Sequence, residues 1–186
     1  MIFISKFSKP SLITYFGIII GVVGISFATV EIRLSLACLF ICAVCDFFDG
    51  RFARRFKRTL QERKFGIVID SLADTLAFVA LPCVILFAAT SLTVAPIIVA
   101  AIYSLCGITR LTVFTAEADP DKKTEYYSGL PILCAGAIIP LVYSALSIIN
   151  SLIPGLVSDL ATDIILLLAY LALAALYVLN IKVKKP

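Results

Sequence analysis

The chain has 186 residues, 61% of them hydrophobic and 15% charged, and its 16 Lys and Arg against 12 Asp and Glu give a net charge of +4. Soluble domains run at roughly 45–50% apolar and about 25% charged, so this composition excludes a water-soluble globule and a disordered chain. There is no histidine, which removes the imidazole base of serine and cysteine triads and the commonest zinc ligand.

A helix needs about 20 mostly apolar residues to cross a hydrocarbon core about 30 Å thick. Stretches of that kind fall at 11–30, 32–49, 66–89, 92–114, 129–150 and 163–181. They predict an all-α integral membrane protein of six transmembrane helices, with 1–186 as a single membrane domain. The longest connection, Thr115 to Ser128, reads as a polar loop whose Asp119-Pro120-Asp121 favours a turn. The first span is expected to be a true span, because it is longer than a signal-peptide core and no small-residue cleavage signal follows it. Cys38, Cys42, Cys45, Cys83, Cys106 and Cys134 all fall in apolar stretches. The close pair Cys42-x-x-Cys45 has no second pair or histidine to complete a zinc site, so the cysteines read as small packing residues.

Charge sets the expected orientation. Lys6 and Lys9 precede the first span, seven basic residues lie between Arg51 and Lys64, Lys122 and Lys123 follow the fourth span, and Lys182, Lys184 and Lys185 follow the sixth. Arg33 alone falls on the opposite side. The positive-inside rule then puts the N- and C-termini in the cytoplasm. The basic excess belongs to a membrane face, and no basic strip interleaved with aromatics points to nucleic acid.

The carboxylates carry the chemistry. Asp46 and Asp49 close the second apolar run, and Asp70 and Asp74 sit inside the third. A carboxylate facing lipid costs at least a few kcal/mol. Spacings of three and four residues put each pair on one helix face, so two helices can offer four acids to one cavity. Such a cluster calls for one or two divalent cations to neutralise it, and all-oxygen ligation favours Mg²⁺, Mn²⁺ or Ca²⁺ over zinc. Between the pairs, Gly50 and Ala53 let a ligand approach the backbone, and Arg54 can fork onto phosphate oxygens. Metal, arginine and small residues together point to a polyphosphate ligand. The basic run from Arg55 to Lys64 reads mainly as an anchor for anionic headgroups.

The string Asp46-x-x-Asp49-Gly50-x-x-Ala53-Arg54, followed by Gly66-x-x-x-Asp70-x-x-x-Asp74, resembles the signature of the CDP-alcohol phosphatidyltransferases. The resemblance implies a membrane enzyme of six spans in which an alcohol attacks the β-phosphoryl group of CDP-diacylglycerol and CMP leaves. By position it implies that Asp46, Asp49, Asp70 and Asp74 hold Mg²⁺ or Mn²⁺, with Asp74 also as the catalytic base. Gly50, Ala53, Arg54 and Gly66 would line the nucleotide and diphosphate site at the cytoplasmic face. Eleven residues separate Arg54 from Gly66 where the family usually has about eight, an excess of nearly one helical turn. Thr59, within that segment, is a further nucleotide-binding candidate. The family likeness also implies a homodimer.

Which alcohol is accepted is read from later residues. Cys106-Gly107-Ile108-Thr109-Arg110-Leu111, then Ser128-Gly129-Leu130-Pro131, resemble the phosphatidylserine synthase branch, as do Phe65-Gly66, Leu81-Pro82 and Leu12-Ile13-Thr14. Arg110 is the candidate for binding the serine carboxylate. A phosphate-bearing acceptor would call for several cations beyond the nucleotide site, and only Arg110, Lys122 and Lys123 are available. The alternatives are glycerol 3-phosphate or inositol phosphate as acceptor. A small cation transporter would also explain the intramembrane acids, but gives Gly50, Ala53 and Arg54 no role.

Overall fold

The computed structural model describes residues 11–53, 59–117, 126–128, 130–154, 156–179 and 182–184. They form six helical rods. The first two are α1 (Ser11–Phe27) and α2 (Ile32–Ala53). The third runs from Leu60 to Ala89 as α3 (Leu60–Thr75), a π-helical turn (Leu76–Ala80) and α4 (Leu81–Ala89). Then come α5 (Val94–Glu117), α6 (Ala135–Leu152, entered through a 3₁₀ turn at Ile132–Cys134) and α7 (Asp159–Val178). One short ribbon accompanies them: β1 (Tyr126–Ser128) pairs antiparallel with β2 (Lys182–Lys184), Tyr127 opposite Val183. The Asp119-Pro120-Asp121 turn lies outside the described residues.

The rods Leu60–Ala89, Val94–Ala116, Ile132–Leu152 and Asp159–Val178 are long and apolar enough to cross a membrane, and Leu12–Phe27 is a shorter apolar helix. α2 has span length, but its 22 residues carry Arg33, Asp46, Asp49 and Arg51. Large apolar side chains such as Leu105, Leu141 and Leu168 face outward, as a lipid-embedded surface requires.

Helix starts differ from the apolar runs where a polar cap decides. The third rod begins at Leu60 rather than at Gly66, because Thr59 and Glu62 form a capping box. Thr59 Oγ1 accepts from the Glu62 N–H at 3.3 Å, while Glu62 Oε2 accepts from the Thr59 N–H at 2.8 Å. The last rod begins at Asp159 rather than at 163, where Ser158 Oγ accepts from the Ala161 N–H at 3.2 Å. It ends at Val178, three residues short of the expected 181.

Small residues set how closely the rods pack. A Cβ on Gly24 of α1 would stand 2.9 Å from Cys38 Cβ of α2 and 3.0 Å from Leu81 Cδ2 of α4. A Cβ on Gly136 of α6 would stand 2.5 Å from Ala43 Cβ and 3.1 Å from the Leu39 carbonyl oxygen, both on α2. α2 is thereby gripped between α1 and α6. The other half of the core is aromatic: Tyr103 of α5 packs edge-on against Tyr170 of α7, with ring centroids 5.2 Å apart, and beside Tyr177 at 5.8 Å. All three are buried, and Tyr177 Oη donates to the Ile132 carbonyl at 3.2 Å.

A fifth intramembrane acid, Asp163, is buried on α7. Its Oδ2 accepts from the Ser91 hydroxyl at 2.7 Å and the Ser91 N–H at 3.1 Å, which fastens the turn between α4 and α5. That is a structural role.

Candidate active site

Asp46 and Asp49 lie in the last two turns of α2, and Asp70 and Asp74 on successive turns of α3. Carboxylate oxygens of Asp46, Asp49 and Asp70 lie within 4.8 Å of one another. Asp74, one turn further along α3, lines the same cavity but is not part of this close trio. The cavity is walled by Ile13, Thr14 and Gly17 of α1, Cys42 and Cys45 of α2, and Ala77 and Phe78 of the π-turn. Bringing the acids together thus takes three rods, with α1 as the wall and the π-turn as the floor.

Thr14 is a partner that sequence reasoning passed over. Its Oγ1 donates to Asp49 Oδ2 at 3.2 Å, both residues being buried. A hydroxyl donor on one oxygen orients the carboxylate. The available signal was a hydroxyl among apolar residues, three positions before Gly17 and within the Leu12-Ile13-Thr14 string. Cys42 ties the same wall together, its Sγ donating to the Gly17 carbonyl at 3.5 Å.

The donor set fits a hard divalent cation. Three carboxylates converge on one small, largely buried space, with oxygen as the only donor element in the trio. Without a cation, like charges at this separation oppose one another strongly.

The remaining expected residues fall at different distances from this cavity. Gly66 is on α3, one turn before Asp70 and on the same face. Gly50 and Ala53 belong to the end of α2, while Arg54 lies outside the described residues. Thr59 is exposed, and its hydroxyl is engaged with Glu62, donating to Oε2 at 2.9 Å. Six of the eleven residues between Arg54 and Gly66 are helical and form the front of α3. Arg110 is buried on α5 and is not among the residues lining the acid cavity; its Nε donates to the Leu130 carbonyl at 3.4 Å. Thr115 Oγ1, also on α5, donates to Ser71 Oγ at 2.9 Å, so α5 braces α3 between Asp70 and Asp74.

A helical membrane protein with an acid cluster between two rods is the class this architecture defines. The CDP-alcohol phosphatidyltransferase family model matches residues 7–176, and the chain belongs to that family. Over 136 residues it is 34% identical to the CDP-diacylglycerol–serine O-phosphatidyltransferase of Mycobacterium leprae, covering 69% of this chain and 44% of the relative. The Saccharomyces cerevisiae enzyme of the same name is 34% identical over 100 residues, covering 50% of this chain and 35% of the relative. The Bacillus subtilis one is 29% identical over 136 residues, covering 72% and 73%. The chain therefore spans less than half the length of the first two.

Proposed function

We propose that this chain transfers the phosphatidyl group of CDP-diacylglycerol to the hydroxyl of L-serine, releasing CMP and forming phosphatidylserine. The observation that carries the reading is the meeting of Asp46, Asp49 and Asp70 oxygens in one cavity that Asp74 also lines, in a chain of this family. Relatives bearing the serine-transferase name support the choice of acceptor.

Asp46, Asp49 and Asp70 would hold Mg²⁺ or Mn²⁺, with Asp74 at the edge of the same set. Bound there, the cation would neutralise charge on the diphosphate oxygens and on the departing CMP. Asp74 accepts the proton of the serine hydroxyl as its oxygen attacks the β-phosphorus and the bond to CMP breaks. Deprotonation concerted with attack makes a carboxylate a sufficient base for so weak an acid. Gly50, Ala53 and Gly66 let the nucleotide and diphosphate lie against backbone, Arg54 pairs with phosphate oxygens, and Thr59 is a further contact at the nucleotide end. Arg110 binds the serine carboxylate.

The whole chain acts as one membrane domain with both termini and the site at the cytoplasmic face. The one-sided distribution of Lys and Arg supports this orientation, although Lys6, Lys9, Arg54, Arg55, Lys57, Arg58, Lys122, Lys123 and Lys185 lie outside the described residues. The functional unit is a homodimer, to be checked by native mass spectrometry from mild detergent. The deciding experiment follows CMP release by purified protein with CDP-diacylglycerol and Mn²⁺ or Mg²⁺. Serine is expected to support it; release only with glycerol 3-phosphate or inositol phosphate would overturn the acceptor assignment.

A further inference from the structure

The join between α3 and α4 is wound differently from the rest of the rod. At Leu76–Ala80 the helix is π-helical, with the Leu81 N–H donating to the Leu76 carbonyl five residues back. One residue inserted in this way turns everything before it by about 100° relative to an unbroken α-helix of 3.6 residues per turn. The insertion therefore decides which way Asp70 and Asp74 face once α4 is packed. Pro82 comes next, and it has no N–H to give the Phe78 carbonyl, its α-helical partner. A different helix fills the gap: Tyr103 Oη, fully buried on α5, donates to the Phe78 carbonyl at 2.6 Å. Phe78 and Ala77 line the acid cavity.

We propose that Tyr103 is a positioning residue: by holding the Phe78 carbonyl it fixes the π-turn, and the π-turn sets the face on which α3 presents Asp70 and Asp74 to α2. The role rests on the reading of these acids as the cation-binding set.

Tyr103→Phe removes the hydroxyl and keeps the ring that packs on Tyr170. In detergent-purified full-length protein, loss of this buried hydrogen bond is expected to weaken Mn²⁺ binding, read by electron paramagnetic resonance, about tenfold. Amide exchange across residues 74–83 should also quicken. Adding Pro82→Ala supplies an N–H facing the Phe78 carbonyl, and the double variant is expected to recover Mn²⁺ binding and protection. Tyr170→Phe is the control: it loses a comparable buried bond, to the Pro82 carbonyl at 2.8 Å, beyond the π-turn. It should lower thermal stability and leave Mn²⁺ binding unchanged. Wild-type protein that binds no Mn²⁺ overturns the cation-site reading, and this role with it. Wild-type binding together with an unchanged Tyr103→Phe, a double variant no better than the single, or an equal loss in Tyr170→Phe overturns the role of Tyr103 alone.

Discussion

Substituting alanine for Gly136 probes how the acid-bearing helix α2 is held. The new Cβ would stand 2.5 Å from Ala43 Cβ, 3.1 Å from the Leu39 carbonyl oxygen and 3.2 Å from Phe78 Cε1. Carbon atoms rest at about 3.5–4.0 Å, so α6 and α2 must separate by roughly 1 Å. Neither Ala43 nor the Leu39 backbone has a rotamer with which to yield. Overpacking of this kind costs about 1–3 kcal/mol, and the better helix propensity of alanine returns about 1 kcal/mol. A net loss of about 0–2 kcal/mol is expected, near the upper end because the contacts are rigid. Ala43 is one turn before Asp46, so displacement of α2 also spreads the carboxylates. Misplacement by about 1 Å can slow a reaction by about a hundredfold. Thermal unfolding in detergent and CMP release should therefore both fall in Gly136→Ala, and Ala43→Gly in the same protein should restore part of each. Unchanged melting and turnover in Gly136→Ala would refute the argument that this contact places α2.

Treatment with EDTA is expected to stop CMP release, and added Mn²⁺ to restore it; full activity after chelation would remove the cation from the reaction. Asp49→Asn should weaken Mn²⁺ binding by at least about a hundredfold, and Thr14→Val, which strips the orienting hydroxyl, by about ten- to a hundredfold. Equilibrium binding measurements distinguish the two. Arg110→Gln is expected to raise the KM for serine about ten- to a hundredfold while leaving the KM for CDP-diacylglycerol in place, as substrate-titrated CMP release would show. Thr59→Ala should cost about 1 kcal/mol in thermal stability through the lost cap. A KM for CDP-diacylglycerol raised beyond that effect would instead favour Thr59 as a nucleotide contact.

Apolar runs located all six rods, because burying or embedding about 20 apolar residues leaves the backbone little choice but a helix. Helix starts were less legible. Gln61, Glu62, Arg63 and Lys64 look unlike membrane residues, so the third rod was expected at Gly66, yet the capping box that starts it at Leu60 stands openly in the sequence as Thr59-x-x-Glu62. The acid pairs were visible because charge inside an apolar run has few explanations. Thr14 was not, since one hydroxyl in a helix usually bonds its own backbone, as Thr75 does to the Ser71 carbonyl. The π-turn and the Gly136 contact depend on which rods become neighbours. That is fixed by the packing of the whole bundle, and no local pattern reports it.

The length of the third rod carries a consequence for the proposed lipid substrate. Its 30 residues measure about 45 Å, whereas the hydrocarbon slab is about 30 Å thick and residues 70–89 suffice to cross it. The front ten residues, polar from Gln61 to Lys64, then overhang the slab by about 15 Å. With residues 70–89 in the slab, Asp70 would stand at its edge, level with the glycerol and phosphates of a neighbouring lipid. A molecule with two acyl tails can be met there from the side with its tails still afloat, while a small polar reactant arrives from above without ever entering oil.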